Sequence, residues 1–339
     1  MKTSDFDYFL PPERIAQTPL EPRHSSRLLV LHRGRSELEH TQFWHLDEYL
    51  HAGDLLVINQ TRVIPARIFA CKSTGGKVEI LLLHRQDEQT WEALVGGKGL
   101  IVGKVLKVED GPQVEIIGVL EGSRRLVHFS EPIEPYLIRS GQMPLPPYIH
   151  TPLQDPERYQ TVYARQPGSA AAPTAGLHFT PELMQKLANK GVQFAEVTLH
   201  VGLDTFAPVT EEDPQQHKIH TEWCEVTSAA AEKINLAHAT GGKIVAVGTT
   251  SVRTLETAAR FAGPRQLVGE FAGATDLFIL PGYQFRVVEA MITNFHLPRS
   301  TLLMLVSAFA GLERILEVYQ AAVKAGYRFY SFGDAMLIL

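Results

Sequence analysis

Four histidines stand in polar surroundings that could move protons: His178 in PTAGLHF, His200 directly after VQFAEVTL, His220 in HKIH and His296 in TNFHLP. An imidazole titrates near neutral pH, so several of them at one rim would suit general acid and base work. Other polar groups collect beside them. Gly248-Thr249-Thr250-Ser251 lies between an apolar run and a helical one, with Arg253 just beyond, and offers backbone N–H groups and hydroxyls to a carboxylate or phosphate. Asn294 precedes His296, and Ser331, Gly333 and Asp334 follow YRFY. For any one cluster the plainer reading is a turn or helix cap that satisfies its own backbone, and for each histidine a hydrogen-bonded core or surface residue. Four clusters together are harder to dismiss. His217 and His220 would share a face if HKIH were helical, but Pro214 and TEWCEV fit an extended loop equally well, and HxxH without the Glu of HExxH is a poor zinc signature. The glycines match neither GxGxxG nor GxxxxGK[ST]. Ser169, Ser251 and Cys224 have no nucleophile elbow or Cys–His signature around them, so covalent catalysis is not indicated.

The elements that must position these residues alternate. Thr180-Pro181 opens a helix that Gly191 closes, VQFAEVTLHV reads as a strand, and Ser228 caps AAAEKINLAHA. KIVAVG, QFRVVEAMI and YRFYSF read as strands, SVRTLETAARFA, TLLMLVSAFA and LERILEVYQAAVKA as helices, and SRLLVLHR and DLLVIN as further strands. Strand and helix in turn predict an α/β sheet with helices on both faces, and in such a sheet ligands bind at the carboxyl ends of the strands. Residues 66–130 differ. ARIFAC, KVEILLLH, WEALV, GKVLKVE, QVEIIGVL and RRLVHFS are short β-rich runs split by turn residues, which predicts a small antiparallel β-barrel. The expected organisation is a discontinuous layered α/β/α domain, 1–65 plus 150–339, with an inserted barrel domain over 66–149 that ends in a Pro-rich extended connector.

Composition excludes several classes. A chain of 339 residues that is 45% hydrophobic and 20% charged can build a sizeable core and is not disordered. Its net charge of −5 supplies no global field for nucleic acid, so an RNA partner requires a local basic patch. In the β module Arg and Lys nearly balance Asp and Glu; Lys72, Lys77, Arg124 and Arg125 could form such a patch or simply a solvated surface. Two distant cysteines, Cys71 and Cys224, argue against a disulfide framework. The start MKTSDFDYFLPP is no signal peptide, and the longest apolar stretch, 302–310, is about half of the roughly 20 residues that a membrane span needs. A cytosolic protein without membrane contact is expected.

Read in order, DFDYFLPPERIAQTPLEPRHSSRLLVLHR, GDLLVINQTRVIPARI, GGKVEILLL, GSAAAPTAGLHFT, LHVGLDTFAPV, HKIHTEWCEV, VAVGTTSVRTLE, TNFHLPRSTLLMLVSAFAG and YRFYSFGDAMLIL closely resemble the S-adenosylmethionine:tRNA ribosyltransferase-isomerase family of queuosine biosynthesis. The strings span nearly the whole chain, and their joint order makes the resemblance specific. It implies an α/β domain with an inserted β-barrel. It also implies transfer and isomerisation of the ribosyl group of S-adenosylmethionine onto 7-aminomethyl-7-deazaguanine at the wobble position of tRNA. The product is epoxyqueuosine, with adenine and methionine released. S-adenosylmethionine is then a consumed co-substrate, no metal or other cofactor is implied, and the expected partner is the tRNA bearing the aminomethyl base, met by a monomer.

Such chemistry asks for a base, a donor for departing adenine, a grip on methionine and contacts to the target nucleotide. On the resemblance His178, His200, His220 and His296 are the catalytic candidates. Thr249, Thr250 and Arg253 are expected to hold the methionine carboxylate, Glu222 or Asp334 its ammonium, Asn294 a nucleobase edge and Arg62 a phosphate. Three positions depart from the family pattern: Gln60 where Asp is usual, Asp204 where Gly is usual, and Ile219 where Met is usual. Gln60 removes a possible carboxylate, whereas Asp tolerates the left-handed backbone that Asp204 would need. A metal-dependent α/β hydrolase using the histidines and Asp334, and a non-catalytic RNA-binding protein, are the competing readings; release of adenine and methionine separates both from the transferase.

Overall fold

The computed structural model describes residues 1–202 and 208–339. The chain divides into two compact units, one of Met1–Thr61, Pro147–Gln166 and Pro173–Leu339, the other of Arg62–Pro146 and Pro167–Ala172.

In chain order the strands are β1 (Arg27–Leu31), β2 (Leu38–Gln42), β3 (Leu55–Asn59), β4 (Thr61–Val63), β5 (Arg67–Lys72), β6 (Lys77–Arg85), β7 (Thr90–Gly96), β8 (Val105–Val108), β9 (Gln113–Val119), β10 (Arg124–Phe129), β11 (Gln166–Ser169), β12 (Gln193–Leu199), β13 (Glu222–Val226), β14 (Ile244–Val247), β15 (Phe271–Thr275), β16 (Ala290–Asn294) and β17 (Ala335–Ile338). The helices are α1 (Glu134–Ser140), α2 (Pro181–Asn189), α3 (Ser228–Ala239), α4 (Thr249–Ala258), α5 (Thr301–Ala310) and α6 (Leu312–Lys324).

In the smaller unit β10-β7-β6-β5-β8-β9 close into an antiparallel barrel. Its strands fall on the six β-rich runs. Alternation drives it: in β9 Val114 and Ile116 turn inward while Gln113, Glu115 and Ile117 face water. The connector differs from expectation, because residues 134–140 form α1 with Pro135 in its first turn, where the missing N–H costs nothing.

In the larger unit nine strands run β15-β13-β12-β3-β14-β16-β17-β1-β2. Period-two alternation sorts this sheet's side chains onto two cores. Leu29, Leu31, Leu55, Val57 and Ile244 pack with Ile234, Leu255, Val306 and Val318 from α3, α4, α5 and α6. Leu28, Val30, Leu56, Ile58 and Val245 pack on the other face with Phe43, Leu46, Leu183 and Leu187. This is a layered α/β/α arrangement. The apolar run in α5 is a buried helix of ten residues capped by Ser300, whose Oγ accepts from Leu303 N at 3.1 Å. Among the described residues no helix is long and apolar enough to cross a membrane.

Strand direction sets the rim. β12, β3, β14 and β16 run parallel, so their carboxyl ends share one edge. β13 and β17 are antiparallel to β12 and β16, which brings their amino ends to that same edge. Two expected strands are corrected here. YRFYSF is not a strand: Tyr330 has φ of +71°, and Ser331, Gly333 and Asp334 precede β17 rather than follow a strand. Reversal of β17 nevertheless keeps them on the rim. QFRVVEAMI is strand only from Ala290 onward, because the amides of Arg286, Val287 and Val288 donate to the Glu256 carboxylate instead of to a neighbouring strand.

Glu256 is fully buried in α4 and also accepts from Tyr283 Oη at 3.1 Å. Its removal leaves several buried donors without an acceptor, so Glu256→Ala is expected to cost about 3–5 kcal/mol. Urea unfolding checks this: a midpoint within error of wild type contradicts the assignment.

Candidate active site

β14 ends at Val247, and Gly248 turns the chain into α4 at φ of +87°, a conformation that glycine adopts without strain. Gly248 is therefore the N-cap, and it supplies no side-chain acceptor to the first turn. Thr249 and Thr250 begin the helix, both more than nine-tenths buried. Thr250 Oγ1 is buried without a hydrogen-bond partner among the described residues. Ser251 Oγ is spent on Val247 O at 2.8 Å. The start of α4 thus keeps the character of an anion site, with N–H groups and one spare hydroxyl.

One turn further Arg253 points away from any such anion. Its Nη1 pairs with Glu222 Oε2 and its Nε donates to Leu277 O at 3.0 Å, while Glu222 Oε1 accepts from Gly202 N at 2.9 Å. Arg253 and Glu222, expected separately to grip the carboxylate and the ammonium of methionine, are each other's partner; both are almost fully buried, and breaking the pair would strand a charge. The pair forms one wall of a cleft of ≈ 30 Å³ shared with His217, Ile219, His220, Phe278 and Thr301. Pro214–Gln216 is a single turn, and HKIH continues from it as a loop, with His217 Nδ1 2.9 Å from Glu211 Oε2 and His220 on the cleft. Among the described residues no three His, Cys, Asp or Glu side chains converge as metal ligands.

His178 closes the turn Thr174–His178 and heads a chain of hydrogen bonds. Thr174 Oγ1 donates to Asn294 Oδ1 at 3.0 Å, which aims Asn294 Nδ2 at His178 Nε2, 3.1 Å away. That nitrogen accepts, so the ring proton sits on Nδ1 and is donated to Ser26 Oγ at 2.7 Å. Burial, reinforced by the fields of Arg328 and Arg23, pulls His178 down to about 3 and holds it neutral. Asn294, expected to read a nucleobase edge, instead fixes the tautomer of His178. The turn is tight: a Cβ on Gly176 would meet Tyr163 Oη at 2.0 Å.

His296 is likewise buried and pulled down to about 3 by desolvation. Its Nε2 meets Thr293 Oγ1 at 2.7 Å, and its backbone is clamped by Tyr319 Oη on the N–H and Tyr8 Oη on the carbonyl. His200, at the end of β12, lies 2.8 Å from Thr61 Oγ1 and stacks on Trp223 with ring centroids 5.3 Å apart. The two oxygens of Asp334 accept from the backbone amides of Arg27 and Arg328, which fastens the start of β17 to β1. Burial raises its carboxyl above the usual range. Arg62 lies half-buried on β4 at the beginning of the smaller unit. Gln60 donates to Thr198 Oγ1 at 3.2 Å, and Asp204 lies outside the described residues.

The structure therefore gathers Thr249, Thr250, His178, Asn294, His296, His200, Glu222 and Arg253 along one edge of one sheet. Ser26, Thr174, Thr61 and Trp223 also belong there. Each stands at the start or end of a strand or turn, which was the available signal, but none carries a charge that would single it out.

A family model described as queuosine biosynthesis protein matches residues 3–338. The chain belongs to the queuosine biosynthesis protein family. It is 56% identical to a protein of Moorella thermoacetica and 56% identical to one of Symbiobacterium thermophilum, with all of this chain and all of each relative covered. Both carry the name S-adenosylmethionine:tRNA ribosyltransferase-isomerase. The crystal structure of S-adenosylmethionine tRNA ribosyltransferase from Thermotoga maritima matches with a TM-score of 0.58 at 43% identity, covering 99% of this chain and 100% of that one.

Two buried neutral histidines make a pH prediction. Both have folded values near 3 against an ordinary value of 6.5, so between those limits the unfolded chain binds more protons and stability falls as pH drops. Each contributes a slope of up to about 1.4 kcal/mol per pH unit. Urea midpoints taken from pH 7 to pH 4 should fall more steeply for wild type than for the His178→Gln, His296→Gln double variant; equal slopes would refute the assignment.

Proposed function

We propose that this chain is an S-adenosylmethionine:tRNA ribosyltransferase-isomerase of queuosine biosynthesis. The observation that carries this is full-length identity of 53–56% to relatives of that name. The reaction moves the ribosyl group of S-adenosylmethionine to the aminomethyl nitrogen of 7-aminomethyl-7-deazaguanine at the tRNA wobble position, giving epoxyqueuosine and releasing adenine and methionine. S-adenosylmethionine is consumed as co-substrate. The chain acts as a monomer in the cytosol, a setting that its unpaired cysteines, Cys71 and Cys224, also suit. Its catalytic domain is the larger unit, with the barrel inserted.

The sulfonium withdraws electrons from ribose C5′, so a positioned base takes a proton there. Adenine leaves with a proton at its ring nitrogen, the amine attacks the unsaturated sugar, and closure of the epoxide expels neutral methionine. The first turn of α4, with Thr249, Thr250 and the spare Thr250 hydroxyl, is the grip for the methionine carboxylate. A base works best when its pKa lies near the working pH. His178 and His296, held near 3, suit hydrogen bonding to substrate rather than proton abstraction. We assign abstraction to His220, which lines the cleft walled by Glu222 and Arg253, and contact with a base ring to the His200–Trp223 stack.

The test incubates the protein with S-adenosylmethionine and tRNA carrying the aminomethyl base, then measures adenine release and the mass gain of the RNA. Wild type should give both. His220→Ala should lower the single-turnover rate by about 10²–10⁴ while S-adenosylmethionine still binds. Absence of adenine with wild type sinks the functional reading; an undiminished rate with His220→Ala sinks only the base assignment.

A further inference from the structure

A second cleft, of ≈ 20 Å³, opens beside His178 and is lined by Arg23, Ser26, His178, Ser331, Phe332 and Gly333. A single water needs roughly 10–15 Å³ in this measure, so the cleft has room for one or two polar atoms, such as the oxygens of an anion. Its polar walls are donors. Ser26 Oγ already accepts from His178 Nδ1, which leaves the hydroxyl proton for the cleft. Arg23 spends Nη1 and Nη2 on the carbonyls of Gln160 and Glu157. Arg328 gives Nη2 to the carbonyl of Thr18, next to Pro19 and Leu20 at the edge of the cleft, and its Nη1 is buried with no hydrogen-bond partner.

Neither guanidinium has a carboxylate within ion-pair distance among the described residues, whereas neighbouring Arg158 is paired with Glu21 at 2.6 Å. Asp334 reaches Arg328 only through its field, since both its oxygens are taken by backbone amides. A half-buried cation with an unmet donor costs stability unless something completes it. On a chain of net charge −5, Arg23 on the cleft wall and Arg328 close enough for its field to act on His178 together make a local basic site of the kind a polyanion requires.

We propose that this cleft binds an oxyanion, and that the anion is a backbone phosphodiester of the tRNA, held by Arg328, Arg23 and the Ser26 hydroxyl. The inference rests on the tRNA reading above. A carboxylate grip is already available at the start of α4, and a phosphate anchored beside His178 would fix the register of the nucleotide entering the rim.

The test compares wild type with Arg328→Gln by measuring the Kd of tRNA carrying the aminomethyl base across a salt series, and separately the Kd of S-adenosylmethionine. The expected result is a tRNA Kd raised by roughly tenfold and a log Kd against log salt slope smaller by about 1, with S-adenosylmethionine binding unchanged. A raised Kd for S-adenosylmethionine with unchanged tRNA binding assigns the cleft to the methionine carboxylate and overturns the proposal, as does a folded variant that binds both normally. Should Arg328→Gln not fold, Arg23→Gln is read in the same way, and Ser26→Ala, which removes no charge, is read by the tRNA Kd alone. Wild type that releases adenine while these variants bind tRNA normally defeats the phosphate site and leaves the transferase reading intact.

Discussion

The larger unit depends on burying a polar helix. Every residue of α4 from Thr249 to Ala258 is buried, and seven of the ten are Thr, Ser, Arg or Glu. Such a helix is tolerable only if each side chain finds a partner. Ser251 and Thr254 turn back onto Val247 O and Thr250 O, Arg253 takes Glu222 and Leu277 O, Glu256 takes three successive amides and a tyrosine, and Thr257 meets Thr275 Oγ1 at 2.7 Å. These partners come from β13, β15 and the segment before β16. Satisfying α4 therefore fixes the spacing of those strands and leaves its first turn as the one place where polar capacity is unspent.

Around that helix, reversals of strand direction do the gathering. Ligand-bearing residues of a purely parallel sheet come from carboxyl ends alone. Here antiparallel β13 and β17 add Glu222 and the residues ahead of Ala335 from amino ends, and β1, parallel to β17, adds Ser26. A single edge thereby receives residues separated by more than three hundred positions. Two deep aromatic groups then stiffen it: Tyr8 and Tyr319 hold His296 by its backbone, and Phe43 lies 5.0 Å from the His178 ring.

Much of the fold was legible because its signals are local. Short β-rich runs split by turn residues marked all six barrel strands, and Thr180-Pro181 and Gly191 marked helix ends through chemistry confined to one turn. Where reading failed, the deciding partner was remote. VVEAMI has strand character throughout, but Glu256, some thirty residues earlier, claims the amides of Val287 and Val288. Arg253 and Glu222 were recognised as charged residues near the chemistry; that they neutralise one another follows from β13 running beside α4, which no spacing encodes. The partners of Asp334 and Asn294 were hidden for the same reason, since a carboxylate accepting two amides and an amide orienting an imidazole are set by remote neighbours.

The hydrogen bonds from Thr174 through Asn294 and His178 to Ser26 have a sense, each group donating to the next. A partner that donated to Ser26 would leave the serine proton buried without an acceptor, or would force the imidazole proton onto Nε2, facing the N–H of Asn294. Either outcome costs a buried hydrogen bond, of order 1–3 kcal/mol. The direction of these bonds thus favours carboxylate, phosphate or carbonyl oxygens over ammonium or amide N–H groups as partners for the Ser26 proton. Selection of this kind comes from the direction of a proton wire, and salt does not screen it.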